Sequence, residues 1–477
     1  MTALLPVIIG AGPAGLRAAA ALVEAGLRPV LLDESPAAGG QIYRQPPVGF
    51  RRSRKSLYGF EHRKAASLHA LGTRLQHQLD YRPGVLVWNA QDGVVSTLAG
   101  GHVQTVPYTH LIVATGATDR VLPFPGWLTP GVYTLGGSQV ALKYQGCSIG
   151  KNVVFAGTGP LLYLVAYQYA KAGARVAAVL DTARATDRRA ALPGLLRAPA
   201  LLAKGLYYMG WLKAHGVPIK SGVQQLEVLG VERVEGITWT QQGQSAVHEL
   251  ACDGVGFGYA LRSETQLADL LGCRFSFNEP DRAWLPERDA YGRASKEGVY
   301  LAGDGASIGG ADAAELGGEL AAYALLQDLG FDTSTARTQQ LLSQRAATSK
   351  VRRALDHAFP FPEDWAAQAD DDTVICRCEE IRVGQLREAI RFYGVSEINR
   401  LKAVCRVGMG RCQGRVCGVA AIEVLAHETG MQVAQVGRMR AQAPIKPVPI
   451  SAFETSRVMA SNTHDEAMAE QLGGDNV

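Results

Sequence analysis

The stretch Leu4-Leu5-Pro6-Val7-Ile8-Ile9-Gly10-Ala11-Gly12-Pro13-Ala14-Gly15 decides how this chain folds. A short apolar run that ends in glycines reads as a buried strand turning into a helix. The alanine-rich segment to about residue 26 and a second apolar run over 29–32, closing on Asp33, complete a βαβ unit. Each glycine then has a physical task. Gly10 permits the tight turn, Gly12 lets the backbone approach a pyrophosphate, and Gly15 lets helix and strand pack closely. The helix start, with Pro13 and Ala14 in its first turn, offers free N–H groups and a favourable dipole to phosphate. Asp33, followed by Glu34, is placed to take a ribose hydroxyl. A bare glycine fingerprint is weak evidence; the strand before it, the helix after it and the acid beyond make it strong.

Three further pieces recur in the order a bound flavin nucleotide requires. Gly39-Gly40-Gln41 follows the second strand, Ala114-Thr115-Gly116 follows an apolar run over 111–113, and Gly298-Val-Tyr-Leu-Ala-Gly303-Asp304-Gly305 sets an acid at a strand end. With these the chain resembles the FAD-binding domain of two-dinucleotide-fold flavoproteins. That resemblance implies that Asp304 holds the ribityl chain of FAD. ATP or ADP presents the same pyrophosphate and ribose and fits the same cradle.

The strand and glycine turn occur again at Lys151-Asn-Val-Val-Phe-Ala-Gly157-Thr-Gly159-Pro-Leu-Leu162, with a helix to residue 173 and a strand over 175–180 ending on Asp181. Leu162 stands where the third glycine belongs. The helix should therefore sit farther off and the pyrophosphate pocket should be altered, which argues for a degenerate scaffold over a working NAD(P) site.

Four thiols carry the second chemical signal: Cys376-Arg-Cys378 and, after a gap, Cys412-Gln-Gly414-Arg-Val-Cys417. Inert core thiols do not usually stand one residue apart beside Arg377, Glu379 and Glu380. Structural zinc favours two to four residues between paired ligands, so Cys-x-Cys falls short of it. A [2Fe–2S] cluster on four thiolates suits the set better, and the glycine-rich second loop can aim amide N–H groups at sulfur. Cys405 is a fifth thiol nearby, without a paired partner.

Composition bounds the rest. A chain of 477 residues with 47% apolar content is expected to form two or three ordered domains. A formal charge of +4, with one local basic run over 51–55, leaves no extended nucleic-acid footprint. Eight cysteines, four of them clustered, do not form a secreted disulfide framework, and no cationic leader precedes the first strand, so a cytoplasmic location is expected. No transmembrane segment is expected; the most apolar internal stretch, 190–212, carries Pro193, Pro199, Arg197 and Lys204 and reads as two helices joined by a turn. No cysteine pair follows Gly39-Gly40, and Cys147 and Cys252 are isolated, which excludes a dithiol relay. The ten histidines are scattered and lend no support to hydrolase chemistry. His62, His69 and His77 fit a solvated helix face.

Gly157-Thr-Gly-Pro-Leu-Leu162, Cys376-Arg-Cys-Glu-Glu380 and Gly408-Met-Gly-Arg-Cys-Gln-Gly-Arg-Val-Cys417 together resemble the alpha subunits of heteromeric amino-acid and opine dehydrogenases. That group includes the larger flavin-bearing chain of opine oxidase, a hydrogen cyanide synthase subunit, and the alpha chain of D-hydroxyproline dehydrogenase. The C-terminal part is similar to bacterioferritin-associated ferredoxin modules, which implies that Cys376, Cys378, Cys412 and Cys417 are the [2Fe–2S] ligands. The expected fold is α/β: a split FAD domain (1–123 and 254–335) around an inserted NAD(P)-like domain (124–253). A helical connector (336–372), an α-rich [2Fe–2S] domain (373–430) and an extended tail (431–477) follow. The resemblance further implies a hetero-oligomer. An FAD-containing, amino-acid-oxidase-like beta subunit oxidises a C–N bond, and this chain carries electrons and no substrate-oxidising residues. Some members of the group hold FMN between subunits, ATP in place of FAD, or a small ferredoxin-like gamma subunit. Peripheral placement at a membrane, through an electron acceptor, is compatible with it. The rival readings are an NAD(P)H-dependent reductase with the same cluster as outlet, and a zinc-bearing subunit for assembly.

Overall fold

The computed structural model describes residues 4–50 and 52–453. Five parallel strands form the first sheet, in the order Val299–Leu301, His110–Val113, Pro6–Ile9, Val30–Asp33, Asp80–Pro83. Its central strand, Pro-Val-Ile-Ile, is buried on both faces, which is why it reads as an unbroken apolar run instead of an alternating one. Gly10, at φ +105°, turns the chain out of that strand and donates its N–H to the Leu32 carbonyl at 2.7 Å. Helix Pro13–Glu24 follows and lies against helix Ala311–Asp328. The two approach backbone to backbone: a Cβ on Gly318 would fall 2.0 Å from the Ala14 carbonyl oxygen. A Cβ on Gly15 would fall 1.8 Å from that of Gly10. Only hydrogen fits at either place.

A second parallel sheet has the order Ile219–Ser221, Arg175–Asp181, Asn152–Thr158, Gly254–Tyr259, Val132–Thr134, and a three-stranded antiparallel sheet over 223–251 joins it. Leu162 is fully buried in helix Pro160–Lys171. The glycine turn before that helix differs from the first one, since Gly159 sits at φ +112° where Gly12 sits at φ −78°. The acid that ends the second strand is also committed. Asp181 accepts from Tyr163 Oη at 2.6 Å, from Arg188 at 2.6 Å and from the Ala183 amide at 2.9 Å, and it is wholly buried. The stretch over 190–212 forms helices Ala185–Leu195 and Pro199–Ala214, as its prolines foretell.

Helix Thr335–Ala358 packs on Ala185–Leu195 and leads to a small C-terminal lobe. That lobe pairs strands Val374–Cys376 and Ile381–Arg382 and adds helices Val383–Tyr393, Ile398–Cys405 and Gly418–Thr429. The chain then returns across the first unit. Ile445 donates to the Trp88 carbonyl at 3.0 Å and is buried in that unit's core, and Lys446 pairs with Glu34. The tail is thus part of a core at Ile445 and not merely laid along a surface. Among the histidines, His69 contradicts the solvated-face expectation. It lies on the inner side of helix His62–Leu75, buried, with Nε2 at 2.8 Å from the Tyr43 carbonyl, because that helix turns Leu68, Leu71 and Leu75 inward beside it.

Gly318→Ala should cost about 3 kcal/mol of stability by forcing the two helix backbones apart. Gly205→Ala, in a helix where an added Cβ meets nothing within 4 Å, should gain about 0.5–1 kcal/mol. Denaturant unfolding of both variants measures the contrast. Burial pushes the Asp181 pKa up to about 6, despite Tyr163 and Arg188. The folded chain therefore holds this proton more tightly than the unfolded chain, so Asp181 contributes most below about pH 4 and loses that contribution as pH rises through about 6. The stability difference between wild type and Asp181→Asn, followed across that window, should shrink with rising pH and then level off.

Candidate functional site

The sequence pieces expected to cradle a nucleotide converge at the C-terminal edge of the first sheet. Gly12 and Gly40 meet face to face: a Cβ on Gly40 would lie 3.0 Å from the Gly12 Cα. Gly39, at φ +131°, donates to the Ala11 carbonyl at 2.8 Å. A Cβ on Gly10 would fall 2.3 Å from the Ala114 carbonyl oxygen, one on Gly303 2.8 Å from the Ala14 Cβ, and one on Gly305 2.6 Å from Thr115 Oγ1. Gly116 adopts φ +74°. Pro13 opens the helix whose N-terminus faces this gap, and Gln41 at the rim accepts from Arg44 at 2.9 Å. The crowding of bare backbone around one gap leaves it open to a ligand's phosphates.

Two carboxylates frame that gap. Asp33 accepts from the Ala11 amide at 2.5 Å and from the Ser35 amide at 2.6 Å. It braces the glycine turn itself, and burial raises its pKa although both amides pull the other way. Glu34 points instead to Lys446 of the tail. Asp304 accepts through Oδ1 from the amides of Gly309 (2.8 Å) and Gly310 (3.0 Å), leaving Oδ2 without a hydrogen bond among the described residues. Burial raises its pKa as well.

A junction that no local sequence pattern announces joins this cradle to the cysteine loops. Thr115 Oγ1 donates to the Glu264 carbonyl at 2.7 Å, and the Glu264 amide donates to the Gly116 carbonyl at 3.0 Å. The Glu264 carboxylate then takes Arg415 at 2.6 Å, both side chains largely out of contact with water. Arg262 donates to the Arg415 carbonyl at 2.8 Å and Gln266 to the Gln413 carbonyl at 2.7 Å. Burial alone would raise the Glu264 pKa; Arg262 and Arg415 outweigh it and hold the group ionised below the usual range. Arg262 is itself pushed down by burial, against the pull of Glu264.

The four paired cysteines come together from two loops. Cys376 is hydrogen-bonded to Cys417, Cys417 to Cys412, and Cys412 to Cys378. The Cys417 hydrogen bond, aided by amides of Gly408, Glu379 and Cys378, draws Cys376 down to about 6. Cys417 also draws Cys412 down, with amides of Val416 and Gly414 helping, and is itself held well above the usual thiol range. Gly410 must be glycine here, since a Cβ would fall 2.2 Å from the Cys378 Cβ. Three of the seven non-glycine residues with positive φ among the described residues, Glu380, Arg406 and Gln413, bound these loops. Cys405 stands apart and donates to the Leu401 carbonyl of its own helix at 3.1 Å. Among the described residues no group of three or more His, Cys, Asp or Glu side chains is set to hold a metal ion.

Ser307 sits in a Gly305-Ala-Ser-Ile-Gly309 spacing that formally matches a hydrolase nucleophile turn, but its hydroxyl donates to Asp281 at 3.2 Å and meets no histidine. Residues missed by sequence reasoning are Glu264, Arg415 and Arg262 at the junction, and Tyr163 and Arg188 on Asp181. A distant acid and two bases beside a cysteine loop follow no spacing rule, so only the fold reveals them.

Residues 6–327 match the pyridine nucleotide-disulphide oxidoreductase family, and residues 372–457 match the sarcosine oxidase A3 domain. The A subunit of opine oxidase from Rhizobium meliloti is 38% identical over 459 residues, covering 93% of this chain and 86% of that protein. Hydrogen cyanide synthase subunit HcnB of Pseudomonas protegens is 33% identical over 468 residues, covering 95% of this chain and 98% of its own length. The crystal structure of an L-proline dehydrogenase from P. horikoshii superimposes with a TM-score of 0.68 over 94% of this chain and 79% of that one, at 21% identity, a likeness of fold. The chain is an oxidoreductase subunit that belongs to the pyridine nucleotide-disulphide oxidoreductase family, within the group formed by HcnB and the opine oxidase A subunits.

Proposed function

We propose that this chain is the electron-transferring alpha subunit of a heteromeric flavin and iron–sulfur dehydrogenase, in which a partner beta subunit oxidises the C–N bond of an amino acid, hydroxyproline or opine. The observation that carries this reading is the junction at Glu264. One residue holds the back of the nucleotide cradle through Thr115 and Gly116 and the cysteine loop through Arg415.

The donor sets suit the groups assigned to them. Bare glycine backbone at Gly10, Gly12, Gly15, Gly39 and Gly40 would cradle the pyrophosphate of FAD, or of ATP in its place, with Asp304 toward the ribityl or ribose end. Cys376, Cys378, Cys412 and Cys417, in mutual contact and fed by backbone amides, would hold a [2Fe–2S] cluster. When bound, FAD and such a cluster exchange an electron pair for single electrons. The chain's own part is positional. Asp33 braces the glycine turn, Glu264 and Arg415 keep cradle and cysteine loop in register, and the inward-facing Arg262 sets a cation near Cys412 and Cys417.

NAD(P)H has no evident place. The second glycine turn follows another path, Leu162 fills the space of the third glycine, and Asp181 is already satisfied by Tyr163 and Arg188. For the FMN that some relatives hold between subunits, a cleft of about 120 Å³ beside Gln413 is lined by Arg120, Arg262, Arg282 and Arg438, which suits a phosphate. Buried Ser263 Oγ and Gln266 Oε1 beside it have no partner among the described residues.

The test is anaerobic co-purification of the chain with its partner, followed by iron, acid-labile sulfide and mass analysis of released nucleotides. Two irons and two sulfides per chain are expected. Cys412→Ser should lose most of both while Cys405→Ser keeps them, and Asp304→Ala should lower retained nucleotide about tenfold or more. Iron-free protein with stoichiometric zinc would defeat the reading, as would rapid flavin bleaching when NADH or NADPH is mixed with the isolated chain.

A further inference from the structure

The two-helix excursion over 185–214 presents its apolar side to solvent. Helix Ala185–Leu195 spends Ala191 and Leu195 on Ala354 and Ala358 of the long connector helix, and turns Leu192 outward, 43% exposed. Helix Pro199–Ala214 buries only Tyr208 and Leu212, with Tyr208 against the Tyr167 ring at 4.8 Å. Its outer stripe runs Ala200, Ala203, Leu206, Tyr207, Gly210, at helical spacing. Leu206 is 55% and Tyr207 44% exposed, and Phe60, also 55% exposed, extends the patch by packing edge-on to Tyr207 at 5.1 Å. Water-facing helix sides are normally polar; this one is not.

Charge identifies what covers it. Between Asp187 and Glu227 the sequence holds no acid and six basic residues, Lys and Arg counted together. Arg188 and Lys204 are paired, with Asp181 and Glu61, but Arg189, Arg197 and Lys213 are exposed and have no ion partner among the described residues. An apolar stripe flanked by unpaired cations, with Tyr207 and Trp211 on the same helix, matches the surface of an anionic bilayer, where aromatic rings sit at headgroup level. The core of a protein interface is depleted in lysine, and one copy of this face against another would bring like charges together. No helix among the described residues is long and apolar enough to cross a membrane. We infer that helices Ala185–Leu195 and Pro199–Ala214 form a monotopic dock that lays Leu196, Leu206 and Tyr207 into the headgroup region of an anionic lipid bilayer, without spanning it. The contact requires no particular cofactor, so it stands or falls apart from the electron-transfer reading.

Vesicle flotation tests it, using the full chain and the co-purified complex with phosphatidylcholine vesicles, with and without about 30% phosphatidylglycerol to supply the negative surface potential of an anionic leaflet. Both preparations should float with the anionic vesicles, float poorly with the neutral ones and release at high salt. Leu206→Glu should weaken partitioning about tenfold or more. Arg197→Glu with Lys213→Glu should weaken it about fivefold per basic side chain removed. The charge pair keeps the test open should Leu206→Glu fail to fold, as judged by circular dichroism. Equal flotation on both lipids, or none, overturns the inference. Flotation of the isolated chain but not of the complex assigns the face to the partner subunit. Loss of a concentration-dependent dimer in Leu206→Glu with flotation unchanged assigns it to a second copy, and either result also overturns it.

Discussion

Glu264 is the residue through which the two halves of this molecule know each other's position. Its backbone is fixed on both sides, accepting from Thr115 and donating to Gly116, while its carboxylate grips Arg415 largely out of contact with water. Removing a carboxylate and a guanidinium from water costs several kcal/mol per ion before their attraction is counted, so this pair adds little net stability. What it adds is register. Arg415 lies inside the Cys412–Cys417 loop and also donates to the Ile445 carbonyl of the returning tail, so one inward-facing cation ties cradle, cysteine loop and tail to a common frame. An apolar pair of equal volume could fill the space but could not point.

The two nucleotide-type units show how one architecture can keep its fold and change its chemistry. In the first, glycine at position 15 leaves the turn's carbonyl and the helix start nearly touching, and no Cβ fits. In the second, Leu162 puts a large side chain at the matching place and becomes core, packed with Leu135, Phe155 and Val165. The strand-ending acid follows the same logic. Asp33 turns its carboxylate to the glycine turn's amides, whereas Asp181 is closed off by Tyr163, the very next residue after Leu162, and by Arg188. Filling the pocket with apolar volume and satisfying its acid internally both leave the sheet intact, because the strands depend on pairing and burial and not on a ligand.

Much of this was legible in the chain because the relevant constraints are local. A strand, a glycine turn and a helix N-terminus follow from a dozen consecutive residues, and Gly12, Gly40, Ala114 and Gly303 meet because parallel strands end at one edge of a sheet. The pairing of Cys376 and Cys378 with Cys412 and Cys417 was equally readable, since thiols at such spacing have few alternatives. The junction was not. Glu264 and Arg415 are separated by 151 positions and look like any surface acid and base until the C-terminal lobe docks. His69 misled for a related reason: its spacing from His62 and His77 fits a helix face, and only the packing of helix His62–Leu75 tells which face is inside. The apolar helix Pro199–Ala214 was visible as apolar, but its exposure required the fold, for hydrophobicity all round says nothing about which side finds a neighbour.

The cysteine site is asymmetric, and under the proposed reading the asymmetry gives it a direction. Cys376 and Cys417 are buried, on the side where Arg262 and the Glu264 junction lie, whereas Cys378 and Cys412 are only partly covered. Around the latter two, Arg377, Arg406 and Arg411 face solvent, with Arg406 held by Glu379 at 2.8 Å. A metal–sulfur centre's potential rises with amide hydrogen bonds to sulfur and with nearby positive charge, and falls with exposure to water. Amides from Gly408, Glu379, Val416 and Gly414, together with Arg262, act in the first sense on the inner ligands; solvent acts in the second on the outer pair. Electrons arriving from the cradle side would meet the better stabilised end of the centre first and leave past the exposed one, across a basic rim suited to an acidic acceptor surface. The same loops that bring four thiols together thereby separate an entrance from an exit, which a symmetric, fully enclosed structural metal site would have no reason to do.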